Sequence, residues 1–140
     1  MTHYALIGHP LGHSLSPQIH RALLAAAHLE GDYRLLDIAP EDLANRLPEL
    51  QTLCGFNVTI PHKQAVLSAM AELDEKAALF GAVNTVAVRD GKFYGYNTDC
   101  YGFCAPCPQR VSRWPDACWY WEPAAWLVCL PLRRCWQVRR

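Results

Sequence analysis

Polar residues that could act together on a small ligand fall into four short runs. The first is Gly8-His9-Pro10-Leu11-Gly12-His13-Ser14-Leu15-Ser16-Pro17, which joins an apolar run to a helix start. Hydroxyls and free amides at a helix N-terminus can hold an anion such as a carboxylate, so Ser14 and Ser16 are candidate ligands. The same residues could serve structure alone, with Ser16 capping the helix and Ser14 in solvent. The second run is Asn57-Val58-Thr59-Ile60-Pro61-His62-Lys63. Polar and apolar residues alternate there, which puts Asn57 and Thr59 on one face of a strand. Lys63 follows just past the strand end, where open αβ sheets place their ligands. The third and fourth runs, Gly81-Ala82-Val83-Asn84-Thr85 and Gly95-Tyr96-Asn97-Thr98-Asp99, both set Asn-Thr beside a strand end. Such residues also commonly tie down turns through side-chain to backbone bonds.

The elements around these runs alternate between strand and helix. Residues 4–8 are a short apolar run ending in Gly, as in a buried first strand. Ser16-Pro17 starts a helix, with Ser as N-cap and Pro at the first helical position. Ile19, Leu23, Leu24 and Ala27 recur at helical spacing and carry it to about His28, with Gly31 ending it. Residues 33–38 read as a second strand. Pro40-Glu41-Asp42 opens a second helix with acidic residues in its first turn, favourable to the helix dipole. Leu43, Leu47 and Leu50 supply its apolar stripe, and Pro48 is expected to kink or end it. Residues 56–60 form a third strand, stopped by Pro61, and 63–70 and 74–80 read as helices, the latter closed by Gly81. Residues 83–88 and 92–96 are two strands around Asp90-Gly91, a strong hairpin signal. The expected class is α/β: a three-layer αβα domain with a mainly parallel sheet and an antiparallel edge.

A chain of 140 residues is about one domain. Acidic and basic residues balance at 13 each, so nothing points to nucleic acid. The start lacks a basic segment followed by a long apolar stretch, and no apolar run approaches the roughly 20 residues of a membrane span. The expected location is therefore cytoplasmic, with no membrane partner. Seven cysteines include a CxxC pair, Cys104 and Cys107. Cys118, Cys129 and Cys135 offer no second tight pair, so no metal site is expected. The odd count argues against a disulfide framework.

In this order and spacing the four runs are specific. From Tyr4 to about Phe103 the chain resembles shikimate dehydrogenases at their N-terminal substrate-binding domain. The residues that carry the likeness are His13-Ser14-Leu15-Ser16-Pro17, the run Asn57 to Lys63, Gly81 to Thr85, and Tyr96-Asn97-Thr98-Asp99. The resemblance implies that Ser14 and Ser16 hold the substrate carboxylate. It implies that Asn57, Thr59, Asn84 and Asp99 bind ring hydroxyls, with Lys63 also at the substrate. Lys63 and Asp99 would be the catalytic pair. The implied reaction is NADP-dependent reduction of 3-dehydroshikimate to shikimate, in the chorismate pathway to aromatic amino acids. A carbonyl receiving hydride becomes an alkoxide, so a donor must stand at its oxygen. A lysine beside an aspartate is held protonated by the opposite charge. Lys63 can then give up a proton while Asp99 orients it. Quinate-using relatives are the alternative, and so is a non-catalytic small-molecule-binding fragment. The family usually follows Asn-Thr-Asp with Gly, where this chain has Cys100.

Beyond Phe103 the character of the chain changes. All five tryptophans lie there, and the last lysine is Lys92. The expected division is a shikimate-binding catalytic domain over 1–103 and a tail over 104–140. Relatives continue into a Rossmann domain through a strand and a glycine-rich turn that seats the cofactor pyrophosphate. No such motif follows Phe103, so the Rossmann domain is expected to be missing and NADP is not expected to bind this chain. The genetic code offers a reason. Codons read from the third base of each present codon, beginning in Cys118, must encode Leu-Val-Leu-Gly, then Ala or Thr, then two positions that permit Gly. That is the family's nucleotide-binding strand and turn, and the tail reads as frameshifted sequence. Three readings follow: an intact gene with a sequence fault, a truncated product, or a binding or redox module built on the cysteine-rich tail.

Overall fold

A computed structural model of the chain describes residues 2–99. The expected boundary at Phe103, the Cys104 and Cys107 pair and the whole tail lie outside the described residues. Six strands form one sheet: β1 (Thr2–Gly8), β2 (Gly31–Asp37), β3 (Gly55–Val58), β4 (Met70–Leu73), β5 (Thr85–Arg89) and β6 (Lys92–Tyr96). Their order is β2-β1-β3-β5-β6-β4. β1 pairs parallel with both β2 and β3, and β4 pairs parallel with β6. β5 runs antiparallel to β3 and β6. The sheet is thus mainly parallel, with its antiparallel part toward the β4 edge.

Alternation along β1 explains the layers. Ala5 and Ile7 enter one buried cluster, with Leu43, Leu50, Phe56, Val58, Val66, Ala77 and Val86. Tyr4 and Leu6 enter another, with Leu11, Leu24 and Tyr33. A strand buried on both faces must be nearly all apolar, as residues 4–8 are. Helix α1 (Ser16–Ala26) covers the second face through Leu24. Helix α2 (Leu43–Leu50), the 3-10 turn that follows short helix α3 (His62–Ala65), and helix α4 (Glu75–Phe80) cover the first. Truncating Leu50, which is fully buried, would cost about 2–5 kcal/mol.

Several boundaries differ from the sequence-based expectation, each for a physical reason. Gly31 does not end α1; it is the first residue of β2. Instead Ala27 is the C-cap and His28 takes the left-handed conformation at φ 53°. The His28 amide donates to Ala25 O at 3.1 Å and the Leu29 amide to Leu24 O at 2.9 Å. This is the paired closure that usually employs glycine, sealed by apolar contact between Leu29 and Leu24. Pro48 lies inside α2 and the helix still reaches Leu50, because Leu43, Leu47 and Leu50 pack on the core. The residues of Pro40–Asp42 form a separate 3-10 turn before it.

The helix expected over 63–70 is short. It gives way to a 3-10 turn at Val66–Ala69, and Met70–Leu73 then adds a strand to the sheet edge. That strand has no clean apolar alternation, since Ala71 and Glu72 are both exposed, so periodicity could not reveal it. The third strand stops at Val58, which leaves Thr59 just outside it. The last helix and the hairpin follow expectation. The Asp74 carboxylate caps α4 by accepting from Ala77 N at 2.7 Å, and Gly81 closes it at φ 58°. Asp90 and Gly91 turn the hairpin at φ 51° and 69°.

Candidate functional site

Strand register gathers the four runs at one end of the sheet. Gly8, the last residue of β1, is level with Asp37 at the end of β2. Ile7 is level with Val58 at the end of β3. Asn57 faces Thr85 at the start of β5, and Thr85 faces Tyr96 at the end of β6. Residues 9–16, 59–63, 84 and 97–99 therefore emerge side by side. This is the end where open αβ sheets bind ligands.

Lys63 and Asp99 meet there. The Lys63 Nζ donates to Asp99 Oδ2 at 3.0 Å, with side chains 25% and 41% exposed. That exposure makes the pair a poor source of stability, about 0–1 kcal/mol, and leaves it open to a ligand. The backbone around Lys63 is fixed, because its carbonyl accepts from Val83 N at 2.8 Å. The other oxygen of Asp99 accepts from Asn84 Nδ2 at 2.6 Å, and the Asp99 amide donates to Asn97 Oδ1 at 3.1 Å.

Asn84 is the hub of this region. It is buried, and its Oδ1 accepts from Thr98 N at 3.0 Å and from Thr85 Oγ1 at 3.0 Å. Its Nδ2 also lies 2.9 Å from Thr98 Oγ1. Burial without partners would be costly for an amide, and here each end is satisfied. Asn97 is likewise buried and donates through Nδ2 to Ala82 O at 2.9 Å.

Asn57 stands on the same sheet face. Its Nδ2 is 3.2 Å from Thr85 Oγ1 and 3.4 Å from Asn84 O, and its Oδ1 accepts from Tyr33 Oη at 2.8 Å. The Tyr33 ring stacks on His20 with centroids 3.9 Å apart and planes 5° from parallel. Burial pushes the Tyr33 hydroxyl pKa up and the His20 pKa down. Thr59 sits half-buried beyond β3, and its amide donates to Ile7 O at 2.9 Å. Its methyl occupies the space above Gly8: a Cβ there would lie 2.4 Å from Thr59 Cγ2 and 3.0 Å from Ile60 O. Glycine at position 8 is what lets the two loops approach.

Ser14 and Ser16 lie on the loop between β1 and α1. Ser16 is the first helical residue rather than its cap; Leu15 holds the N-cap position. The Ser14 hydroxyl instead accepts from Ser16 N at 3.3 Å and donates to Ser16 Oγ at 3.1 Å. Both hydroxyls thus share the helix N-terminus. The base of the loop is tied to β2. The Leu11 amide donates to Asp37 Oδ2 at 3.0 Å, and His9 Nδ1 lies 2.7 Å from Asp37 Oδ1. The Leu11 amide, and then His9, hold the Asp37 carboxyl below its ordinary range.

Five residues of this neighbourhood are not among the candidate ligands read from the sequence: His20, Tyr33, His62, Thr85 and Thr98. Thr85 and Thr98 fall within the two Asn-Thr runs and can be read from them. Tyr33 stands in an apolar strand, where a buried tyrosine needs a partner for its hydroxyl. The His62 ring is buried and lies 2.7 Å from Ile38 O, a packing role of the kind a histidine more often takes. No group of three or more His, Cys, Asp or Glu that could hold a metal occurs among the described residues.

Residues 6–86 match the family described as shikimate dehydrogenase substrate binding domain. A shikimate dehydrogenase (NADP(+)) from Oceanobacillus iheyensis is 48% identical over 101 residues, 70% of this chain and 37% of that protein. The crystal structure of shikimate 5-dehydrogenase from Thermus thermophilus in complex with shikimate superposes at a TM-score of 0.73 with 40% identity, over 75% of this chain and 41% of that one. A 5-ketofructose reductase of Gluconobacter superposes at 0.71 with 34% identity, over 74% of this chain and 38% of that one. The chain thus spans roughly two fifths of the length of these relatives, 37% to 41%. The matched stretch covers more than half of the chain and takes in Ser14, Ser16, Asn57, Thr59, Lys63 and Asn84, and the chain belongs to the shikimate dehydrogenase substrate binding domain family.

Proposed function

We propose that residues 1–103 form the substrate site of an NADP-dependent shikimate dehydrogenase. Ser14 and Ser16 receive the carboxylate at the start of α1, where hydroxyls and free amides converge. Asn57, Thr59, Lys63, Asn84 and Asp99 receive the ring hydroxyls. Lys63 donates the proton to the substrate oxygen as the ketone is reduced, and Asp99 aims it through their 3.0 Å hydrogen bond. Asn84 also fixes Asp99, since its amide donates to Thr98 and Asp99. The observation that supports this reading best is the Lys63–Asp99 pair at 3.0 Å, partly open to solvent at the strand ends.

In this family's reaction the reduced nicotinamide supplies the hydride. The described residues do not fit that cofactor: the loop after β1 has only Gly8 and Gly12, and Gly8 is packed against Thr59, with no room above it for a pyrophosphate. We read the tail after about Phe103 as out of frame, so the 140 residues bind substrate without reducing it. The cytoplasm is the proposed location; no helix among the described residues is long and apolar enough to cross a membrane.

Titration of the chain with shikimate by calorimetry tests this. Saturable one-to-one binding, weak because the Lys63–Asp99 pair is partly open to water, is expected, and it should vanish in Lys63→Ala. Absence of binding to the unmodified chain would refute the substrate-site reading. A second reading has support from the 34% identical 5-ketofructose reductase: the same fold can serve a different polyhydroxylated ketone. Tighter binding of 5-ketofructose or quinate than of shikimate would favour it.

A further inference from the structure

We propose that Tyr33 is a positioning residue for this site, the origin of a one-way hydrogen-bond chain that aims Asn57 and ends on Asp99. The proposal rests on the substrate-site reading above. The amide of Asn57 could in principle sit in either of two orientations. Its Nδ2 is 3.4 Å from Asn84 O and 3.2 Å from Thr85 Oγ1. A backbone carbonyl can only accept, so the NH2 group belongs on that side. Oδ1 must then face Tyr33, and the Tyr33 hydroxyl must be the donor in the 2.8 Å bond.

The direction propagates. Tyr33 Oη–H donates to Asn57 Oδ1, and Asn57 Nδ2–H donates to Thr85 Oγ1. Thr85 Oγ1–H donates to Asn84 Oδ1, and Asn84 Nδ2–H donates to Asp99 Oδ1. Lys63 closes the array from the other side, onto Asp99 Oδ2. Bonds aligned in one sense polarise each other and resist reversal. The source of the chain is well fixed: Tyr33 is 8% exposed and its ring lies flat on His20. Burial keeps its hydroxyl protonated, so it stays a donor.

The consequence concerns ligand choice. With both amide hydrogens of Asn57 turned toward Thr85 and Asn84, the group it can offer a ligand is the second lone pair of Oδ1. Asn57 therefore accepts from a ligand hydroxyl. Without the Tyr33 hydroxyl only the long 3.4 Å contact with Asn84 O opposes a flip of the amide, which would present a donor instead, and a ligand hydroxyl, which can play either part, would then no longer be read in a fixed sense.

The test uses the 140-residue chain, shikimate and its three mono-deoxy analogues, each lacking one ring hydroxyl. Tyr33→Phe keeps the ring, the His20 stack and the burial, and removes the donor. Shikimate binding should weaken by about 5- to 10-fold. The penalty for deleting one particular hydroxyl should largely disappear, while the penalties for the other two remain. Asn57→Ala should remove that same penalty, and the double variant should lose no more than Asn57→Ala alone. A Tyr33→Phe that weakens all four ligands by one common factor would overturn the proposal, because a merely structural tyrosine does that. If the variant does not fold, proton NMR of the ligand-free unmodified chain decides. A slowly exchanging Tyr33 hydroxyl proton with a nuclear Overhauser contact to the Asn57 carboxamide is expected, and a freely exchanging one overturns it. If the unmodified chain binds no shikimate, the substrate-site reading has failed, and the same spectrum still tells whether Tyr33 orients Asn57.

Discussion

At the β5–β6 end of the sheet, Asn84 is 6% exposed and is tied to Thr85, Thr98 and Asp99. At the β1–α1 loop, the hydroxyls of Ser14 and Ser16 are tied to each other, and exposed Gly12 and His13 precede them. Both regions hold candidate ligands at the same sheet end, yet they are built differently. In the first, folding itself orders the polar groups, because none could be buried unpaired. In the second, the polar groups stay partly open to water and keep hydrogen-bonding capacity for an incoming anion. A ligand that bridges the two regions would find the Lys63–Asp99 side ready and would itself order the serine side. In such an arrangement little binding energy goes into fixing Asp99 and more into fixing the loop.

Asn84→Ala should break the ordered region most severely. It leaves Asp99 Oδ1, Thr98 N and Thr85 Oγ1 short of a partner in a part-buried place. The expected loss is about 3 kcal/mol, or a fall in melting temperature of more than about 10 °C by circular dichroism. A fall of only a degree or two would mean that this region is no more ordered than the loop.

Gly8→Ala should come next, because Gly8 is where the β1–α1 loop meets the segment leading to Lys63. Its new methyl would press on Thr59 Cγ2 and on Leu11 Cδ2, which lies 2.9 Å from the ideal Cβ position. About 1–3 kcal/mol of stability should be lost in urea unfolding. Shikimate affinity should fall as well, since both loops must shift apart. Unchanged stability would show that the contact yields easily.

Lys63→Met separates readiness for a ligand from stability. The side chains of the pair are 25% and 41% exposed, so the variant should lose less than about 1 kcal/mol in the same unfolding measurement. Binding of shikimate should nevertheless drop below detection in calorimetry. Loss of stability as large as in Asn84→Ala would mean that Lys63 is part of the scaffold.

The contrast between the regions also marks what a sequence can reveal. The α/β class, the hairpin at Asp90-Gly91 and the closure of the last helix by Gly81 rest on local chemistry, and local chemistry is visible in a sequence. The end of α1 differs from expectation because His28 adopts the left-handed turn that Gly31 is expected to supply, and only the pairing of Leu29 with Leu24 explains why. Strand β4 falls between two expected helices, overlapping the first only at Met70, and is missed because its pairing with β6 is a long-range fact. The four polar runs are legible as runs, and their gathering at one sheet end follows from register. Tyr33 and His20 are not legible as neighbours of the site. Nothing in an apolar strand or a helix face says which hydroxyl a distant asparagine will meet.

The smallest expected effect lies on the loop side and depends on pH. Asp37 anchors the loop base by accepting from Leu11 N and by pairing with His9. These contacts favour its charged form, so its folded-state pKa is below the ordinary carboxylate value. A group shifted this way stabilises the folded chain at pH values above its unfolded pKa, near ~3.9 for aspartate. That contribution is lost as pH falls through the lower, folded value. Melting temperature should therefore decline between about pH 5 and pH 2, and part of the decline should be missing in Asp37→Asn. Because Asp37 is exposed, the difference should be modest and should shrink further in high salt. Amide exchange sharpens the point: the Leu11 amide should lose protection at acid pH before the amides of Thr98 and Asp99 do. Simultaneous loss at all three would mean that the loop and the Asn84 network open as one unit, and that the two regions are not built differently after all.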